Sequence, residues 1–251
     1  MKITYLFILM ISSVTVIAQN IIKVDLNKYL PTDFEINSFS LTLDGKQGFI
    51  TAGTDWKKQY PYLLTFGKDT IVQLMEELNP IYNGAISPSG NQIIYSTRKQ
   101  DSINTYLIIR EYGKWNYLIN LSSELGITGG YFYWRSEQEL YFSNRGDILR
   151  GRFVNDSLRI DDPFDGVNTQ DTEFSPFVSK NKDYLIFTRY SEDDSSQQGL
   201  MISYNKGTEV IPKWTRPKRI KGLPYGWGAF VFRKKLYYSD GNHIYSNMFT
   251  E

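Results

Sequence analysis

The chain has 251 residues, with 28 Lys+Arg against 27 Asp+Glu for a net charge of +1, no cysteine and one histidine. So even a balance excludes the basic stripe of a nucleic-acid binder. The lack of cysteine excludes disulfides and thiol chemistry, and a lone histidine fits neither a zinc site nor a Ser-His-Asp triad.

The chain opens with the pattern of a signal peptide. Lys2 supplies a positive start, residues 3–11 are apolar, and Val16-Ile17-Ala18 presents small or aliphatic residues of the kind a signal peptidase reads. The apolar run is shorter than the about 20 residues a membrane-spanning helix needs. Cleavage after Ala18 is expected to leave residues 19–251, with 27 basic against 27 acidic side chains. No cysteine stands near that point to carry a lipid, so the expected location is periplasmic or secreted, with no membrane-spanning segment in the mature chain.

Next comes Ile21–Leu26, strand-like and without a neighbour to pair with. Beyond it, one motif recurs: a polar turn, an apolar triplet ending in a large residue, then Ser or Thr. It appears at Asp44–Thr51, Ser89–Ser96, Ser136–Ser143, Asn181–Thr188 and Arg233–Ser239. The large residues Ile50, Tyr95, Phe142, Phe187 and Tyr238 are spaced by 45, 47, 45 and 51 residues. With 16% aromatic residues favouring strands, a period of roughly 40–45 marks the blades of a β-propeller.

The second unit reads as four strands, Asn83–Ser87, Gln92–Thr97, Thr105–Arg110 and Trp115–Ile119, with Pro88-Ser89-Gly90 as the first hairpin turn. The fourth reads as Glu173–Val178, Tyr184–Arg189, Gly199–Tyr204 and Trp214–Ile220. Ile71–Leu78 reads as a short helical turn. The fifth unit has strands at Trp227–Phe232, Leu236–Ser239 and Ile244–Met248, then runs out of chain before an outer strand. Ile21–Leu26 is placed there, because it covers an exposed edge and closes the ring. The expected fold is therefore all-β, a five-bladed propeller over residues 19–251. Its blades are near 36–78, 82–122, 128–162, 172–221 and 225–249, with 21–26 completing the last.

The cores Ile86–Ser96 and Phe174–Thr188 resemble the S-P-D-G-k-x-I-x-F-S/T core of TolB-like, WD-type propeller repeats. Asn168, Glu173 and Pro176 ahead of the fourth core, with Gly199–Tyr204 and Lys213–Pro217 after it, are similar to a blade form of exported Bacteroidetes-type proteins. The resemblance implies the propeller fold and an envelope location. It says little about activity, because propellers host binding proteins and enzymes alike.

The aromatic residues are the one feature that points to binding. Tyr82, Tyr131, Tyr225 and Trp227 stand at or just before inner strands, where loops open onto one face near the axis; such rings serve either core packing between blades or the anchoring of a peptide or a sugar. Glu35 and Glu173 lie ahead of inner strands, and Arg98, Arg145 and Arg189 follow second strands. Together these acids and arginines define the alternative, a carbohydrate-active hydrolase or lyase using axial carboxylates. The acidic loop Ser191–Gln198 matches no defined calcium loop. The basic run Lys213–Lys221 reads as a charged edge or as a patch for an acidic partner. No catalytic set, cofactor or metal is assigned. The expected partner is an envelope protein, peptide or glycan engaged through the axial face, with residues Tyr82, Glu173, Tyr225, Trp227, Glu35, Arg98 and Arg189 as candidates.

Overall fold

The computed structural model describes residues 22–24, 30–31, 33–55, 58–65, 70–74, 81–99, 102–154, 157–161, 164–209, 211–232, 234–241 and 243–249. Residues 1–18, read above as a signal peptide, lie outside this set. The described residues form five four-stranded antiparallel sheets. Blade 1 holds β2–β5 (Glu35–Leu41, Gln47–Asp55, Lys58–Thr65, Thr70–Gln73) and blade 2 holds β6–β9 (Asn83–Ile86, Gln92–Lys99, Ser102–Glu111, Lys114–Asn120). Blade 3 holds β10–β13 (Gly130–Ser136, Glu139–Asn144, Asp147–Val154, Ser157–Asp161). Blade 4 holds β14–β17 (Thr172–Val178, Tyr184–Tyr190, Gly199–Tyr204, Lys218–Arg219). Blade 5 combines β18–β20 (Trp227–Phe232, Lys235–Ser239, Ile244–Met248) with β1 (Ile22–Val24). There β1 pairs antiparallel with β20, Ile22 opposite Ser246 and Val24 opposite Ile244. The ring is closed by the amino-terminal strand, as the unpaired fifth unit required.

The five large residues of the repeat are fully buried within the second strands: Ile50, Tyr95, Phe142, Phe187 and Tyr238 are each at most 1% exposed. Each sheet is covered by its neighbours on both faces, so these strands are apolar almost throughout rather than alternating. The Ser or Thr that follows has a separate task. The Ser96 hydroxyl donates to the Gly129 carbonyl, Ser143 to the Glu173 carbonyl at 2.9 Å, and Thr188 to the Gly226 carbonyl at 3.0 Å. Each bond joins one blade to the first residues of the next. In blade 1 Thr51 bonds Ser38 at 2.7 Å, and Ser38 accepts from the Gly84 amide of blade 2 at 3.2 Å. In blade 5 Ser239 holds the Gly241 amide, and the Gly241 carbonyl accepts from Ile36 of blade 1. The recurring hydroxyl is thus the lateral fastening of the ring. A buried backbone carbonyl left without it would lose a hydrogen bond that water cannot replace.

Two strands differ from expectation. Ile71 to Gln73 belongs to β5, paired through Ile71–Leu64 and Gln73–Tyr62, and is not a helical turn; residues 75–78 lie outside the described set. The outer strand of blade 4 is Lys218–Arg219 only, because the chain after β16 folds into its own turn, closed by an isolated Asn205–Trp214 bridge. Between blades 2 and 3 a single helical turn, α1 (Leu121–Leu125), is capped by the Asn120 side chain, which accepts from the Ser122 and Ser123 amides. No helix among the described residues is long and apolar enough to cross a membrane.

Candidate functional site

The inner strands β2, β6, β10, β14 and β18 begin at one end of the axis, and four of them begin irregularly, β2 with a shift between Ile36 and Ser38. Register shifts also occur between Gly130 and Tyr133, between Phe174 and Phe177, and between Trp227 and Phe230. Inside these bulges Tyr131, Ser175 and Gly228 have φ of +55°, +57° and +65°. A bulge re-aims the side chain it contains. In blade 3 that residue is a tyrosine, a bulky side chain in a backbone conformation that normally favours glycine. Its amide is held by the Asn83 side-chain oxygen at 2.8 Å, and the equivalent Gly228 amide by the Ser175 hydroxyl at 2.7 Å.

The Tyr131 ring stands on the axis. It packs against Phe174 at 4.9 Å and edge-on to Tyr82 at 6.0 Å between centroids. Its hydroxyl lies 3.5 Å from both the Tyr82 hydroxyl and the Asn37 side-chain oxygen. Tyr131 lines depressions on both sides of itself and divides the axial space in two. The far side, about 170 Å³, is lined by Phe39, Leu41, Tyr133, Phe177, Phe230 and Phe232 among others. The near side, about 290 Å³, opens where the inner strands begin. Its walls are Tyr82, Phe174, Tyr190, Tyr225 and Ile103, with Arg145, Thr172, Thr128 and Ser143 at polar positions. No carboxylate lines this mouth among the described residues. Burial, together with the neighbouring Tyr82 and Tyr225, pushes the Tyr131 hydroxyl well above its ordinary value; burial and Tyr190 raise Tyr225. Both stay neutral and keep their protons as donors.

The predicted residues separate into three groups. Tyr82 and Tyr225 line the mouth. Trp227 is half-buried beside Tyr225 at 6.3 Å, and its indole N–H donates to the Asn37 carbonyl at 2.9 Å, which ties blade 5 to blade 1. Arg98, near the end of β7, is in register with Ile103, but its own side chain does not line the mouth, and neither does that of Glu35, exposed at the start of β2.

Glu173 and Arg189 are bound to each other. Glu173 is 0% exposed; it accepts from the Arg189 guanidinium at 2.7 Å, from the Thr169 amide at 3.0 Å and from the Thr169 hydroxyl at 2.6 Å. Arg189 gives its remaining bond to the Val167 carbonyl at 3.1 Å. Both groups are consumed in holding residues 167–169 onto blade 4. Arg189 is therefore not a free ligand group, and Glu173 does not present a carboxylate to the axis. Phe174 and Tyr190 were not singled out from sequence. Their signal was available: each lies next to a residue that was named, one step along a strand.

A second buried acid, Glu139, sits at the opposite end of blade 3. It accepts from Tyr141 at 3.1 Å and is ringed by Arg135, by Lys182 at 3.0 Å and by Arg150 at 3.7 Å. In the acidic loop, Asp194 caps the turn Ser195–Gln197 by accepting from the Ser196 amide and hydroxyl. No group of three metal-ligating side chains occurs among the described residues.

The closed ring of five sheets around a divided axis defines the molecule as a five-bladed β-propeller. Among solved structures it is similar to TolB from Acinetobacter baumannii, at 15% identity and a TM-score of 0.51 over 86% of this chain and 54% of the other. A protein described as TolB from Agrobacterium tumefaciens matches at 15% identity and 0.53, over 86% and 75%. A chain of a nidogen/laminin complex matches at 14% identity and 0.53, over 82% and 72%. The fold is thus the TolB-like propeller fold implied by the repeat cores, and the chain spans about half the length of the Acinetobacter TolB. No family model and no curated protein matches the sequence.

Proposed function

We propose that this chain is an exported binding propeller whose axial mouth engages a protruding segment of another envelope protein. One observation carries the reading: five aromatic rings, from Tyr82, Tyr131, Phe174, Tyr190 and Tyr225, surround an open depression that no acid among the described residues lines. Rings of this kind supply large contact area at small entropic cost, and the tyrosine hydroxyls supply hydrogen bonds at the edge. The carboxylate-driven hydrolase or lyase has no such support, since Glu173 is locked to Arg189 and Glu35 stands away from the mouth. The matching chain of the nidogen/laminin complex offers a parallel, a similar fold held in a complex between proteins.

Two measurements test this reading. Intact mass of the protein from its native host is expected to show a chain beginning at Gln19, in the envelope fraction. Affinity isolation from that fraction, compared between wild type and a Tyr82→Ala/Tyr225→Ala variant of unchanged fold, is expected to retain a discrete protein only with wild type. Equal retention by the two would overturn the assignment of the mouth.

A further inference from the structure

The three arginines that the sequence places after second strands have different fates in the structure, and the difference points to a ligand. Arg189 is buried in its pair with Glu173. Arg98 lies within β7 and outside the mouth. Arg145 alone of the three lines the depression; it is exposed and makes no ion pair or hydrogen bond among the described residues. It occupies a two-residue turn with Gly146, φ +56° and +92°, between the paired residues Asn144 and Asp147. A turn this tight fixes the base of the side chain at the rim. Thr172 packs against the same turn and also lines the mouth, adding a hydroxyl donor beside the guanidinium.

The mouth therefore offers one uncompensated cation and a neighbouring hydroxyl over a cup of aromatic rings. A guanidinium with free donors matches a carboxylate in charge and in its forked geometry. The cup is floored by Tyr131, so an entering chain meets a wall. At about 290 Å³ it stands at the lower end of the roughly 300–1,000 Å³ of small-ligand pockets. A polypeptide passing through would have to double back in that space, whereas a chain end needs only to enter. We infer that the mouth receives the free carboxy-terminus of a partner polypeptide, the terminal carboxylate on Arg145 and Thr172 and a large apolar or aromatic last side chain among Tyr82, Phe174 and Tyr225. The inference rests on the mouth being the binding site, and it goes beyond that reading by naming the chemical group bound.

The test titrates the full mature chain against fluorescein-labelled hexapeptides of Gly and Ser ending in a single Phe, made as free acid and as carboxamide, with a fluorescein-labelled oligogalacturonide in parallel. Saturable binding of the free acid is expected, weakened at least about tenfold by amidation and by Arg145→Gln, with Arg145→Gln leaving the amide unaffected. If acid and amide bind equally and both are lost in Tyr225→Ala, the carboxylate anchor is wrong while the protein-binding mouth stands. If the galacturonide binds through Arg145 and the peptides do not, both ideas fall. Should no free-acid peptide bind up to millimolar concentration, the inference is overturned, and the partner isolation described above then judges the mouth separately.

Discussion

Blades 3 and 4 place an arginine just beyond the same point of the repeat, and the two arginines do opposite things. In blade 4, Arg189 stands two residues past the anchor Phe187, still within β15 and directly opposite Glu173 of β14. In blade 3, Arg145 stands three residues past Phe142, beyond the end of β11 and in the turn that follows. One residue of offset turns a side chain to the other face of a strand or carries it out of the strand altogether. The first arginine is drawn into the blade and neutralised; the second is left on the rim with nothing among the described residues to neutralise it. A repeat therefore specifies where a residue lies far better than what it does.

The largest effect that would test this contrast is at Glu173. Replacing it with Gln leaves Arg189 buried without its counter-charge, and urea denaturation is expected to show a loss of about 3–5 kcal/mol. The double variant Glu173→Leu/Arg189→Met is expected to recover most of that loss, since replacing both partners of a buried pair by apolar groups is often neutral. A double variant as unstable as the single one would show that the pair is needed for more than charge compensation.

The pH dependence should come from blade 3. Burial raises the Glu139 carboxyl, but the hydrogen bond from Lys182 and the charges of Arg135 and Lys182 outweigh it and hold the group below its ordinary 4.5. Asp161 is likewise raised by burial and brought below 3.8 overall by hydrogen bonds and charge from Arg152 and Arg150. A carboxylate depressed in the folded state contributes stability above its unfolded value, and that contribution is lost as pH falls through the folded value. Stability is expected to decline below about pH 4.5, and Glu139→Gln should flatten the decline while lowering stability at neutral pH. An unchanged slope in that variant would assign the acid sensitivity elsewhere.

Smaller still is the fastening between the two blades. Ser143→Ala removes the bond to the Glu173 carbonyl and is expected to cost about 1–2 kcal/mol by thermal or chemical unfolding, with Thr188→Ala similar. At the other extreme, Arg145→Gln is expected to change stability by less than about 0.5 kcal/mol. A marked loss there would mean that Arg145 has a structural role after all, and would remove the contrast.

The number of blades was legible because each unit repeats the same features: a large buried anchor in the second strand, a hydroxyl after it and a polar turn before it. Blades 2 and 4 were legible almost strand by strand, since their turns carry Pro and Gly or well-spaced polar residues. The outer strand of blade 4 was not, because Lys213–Lys221 is suited to an edge strand by composition, yet its first half folds on itself through the Asn205 side chain, which accepts from the Gly207 and Lys213 amides. At the mouth, Tyr82 and Tyr225 were visible from their places ahead of inner strands. Phe174 and Tyr190 stand one step along a strand from residues that were visible, but the bulge in β14 and the length of β15 decide which of the two neighbours faces the axis.

Composition and period alone thus determined the architecture and its closure by the amino-terminal strand, because no single blade can cover its own apolar faces and an open fifth sheet would leave an edge. Only the tertiary structure decided which charges are spent and which are left. Whether a carboxylate finds a guanidinium depends on the offset between neighbouring strands and blades, a distance in space that spacing along the chain does not encode.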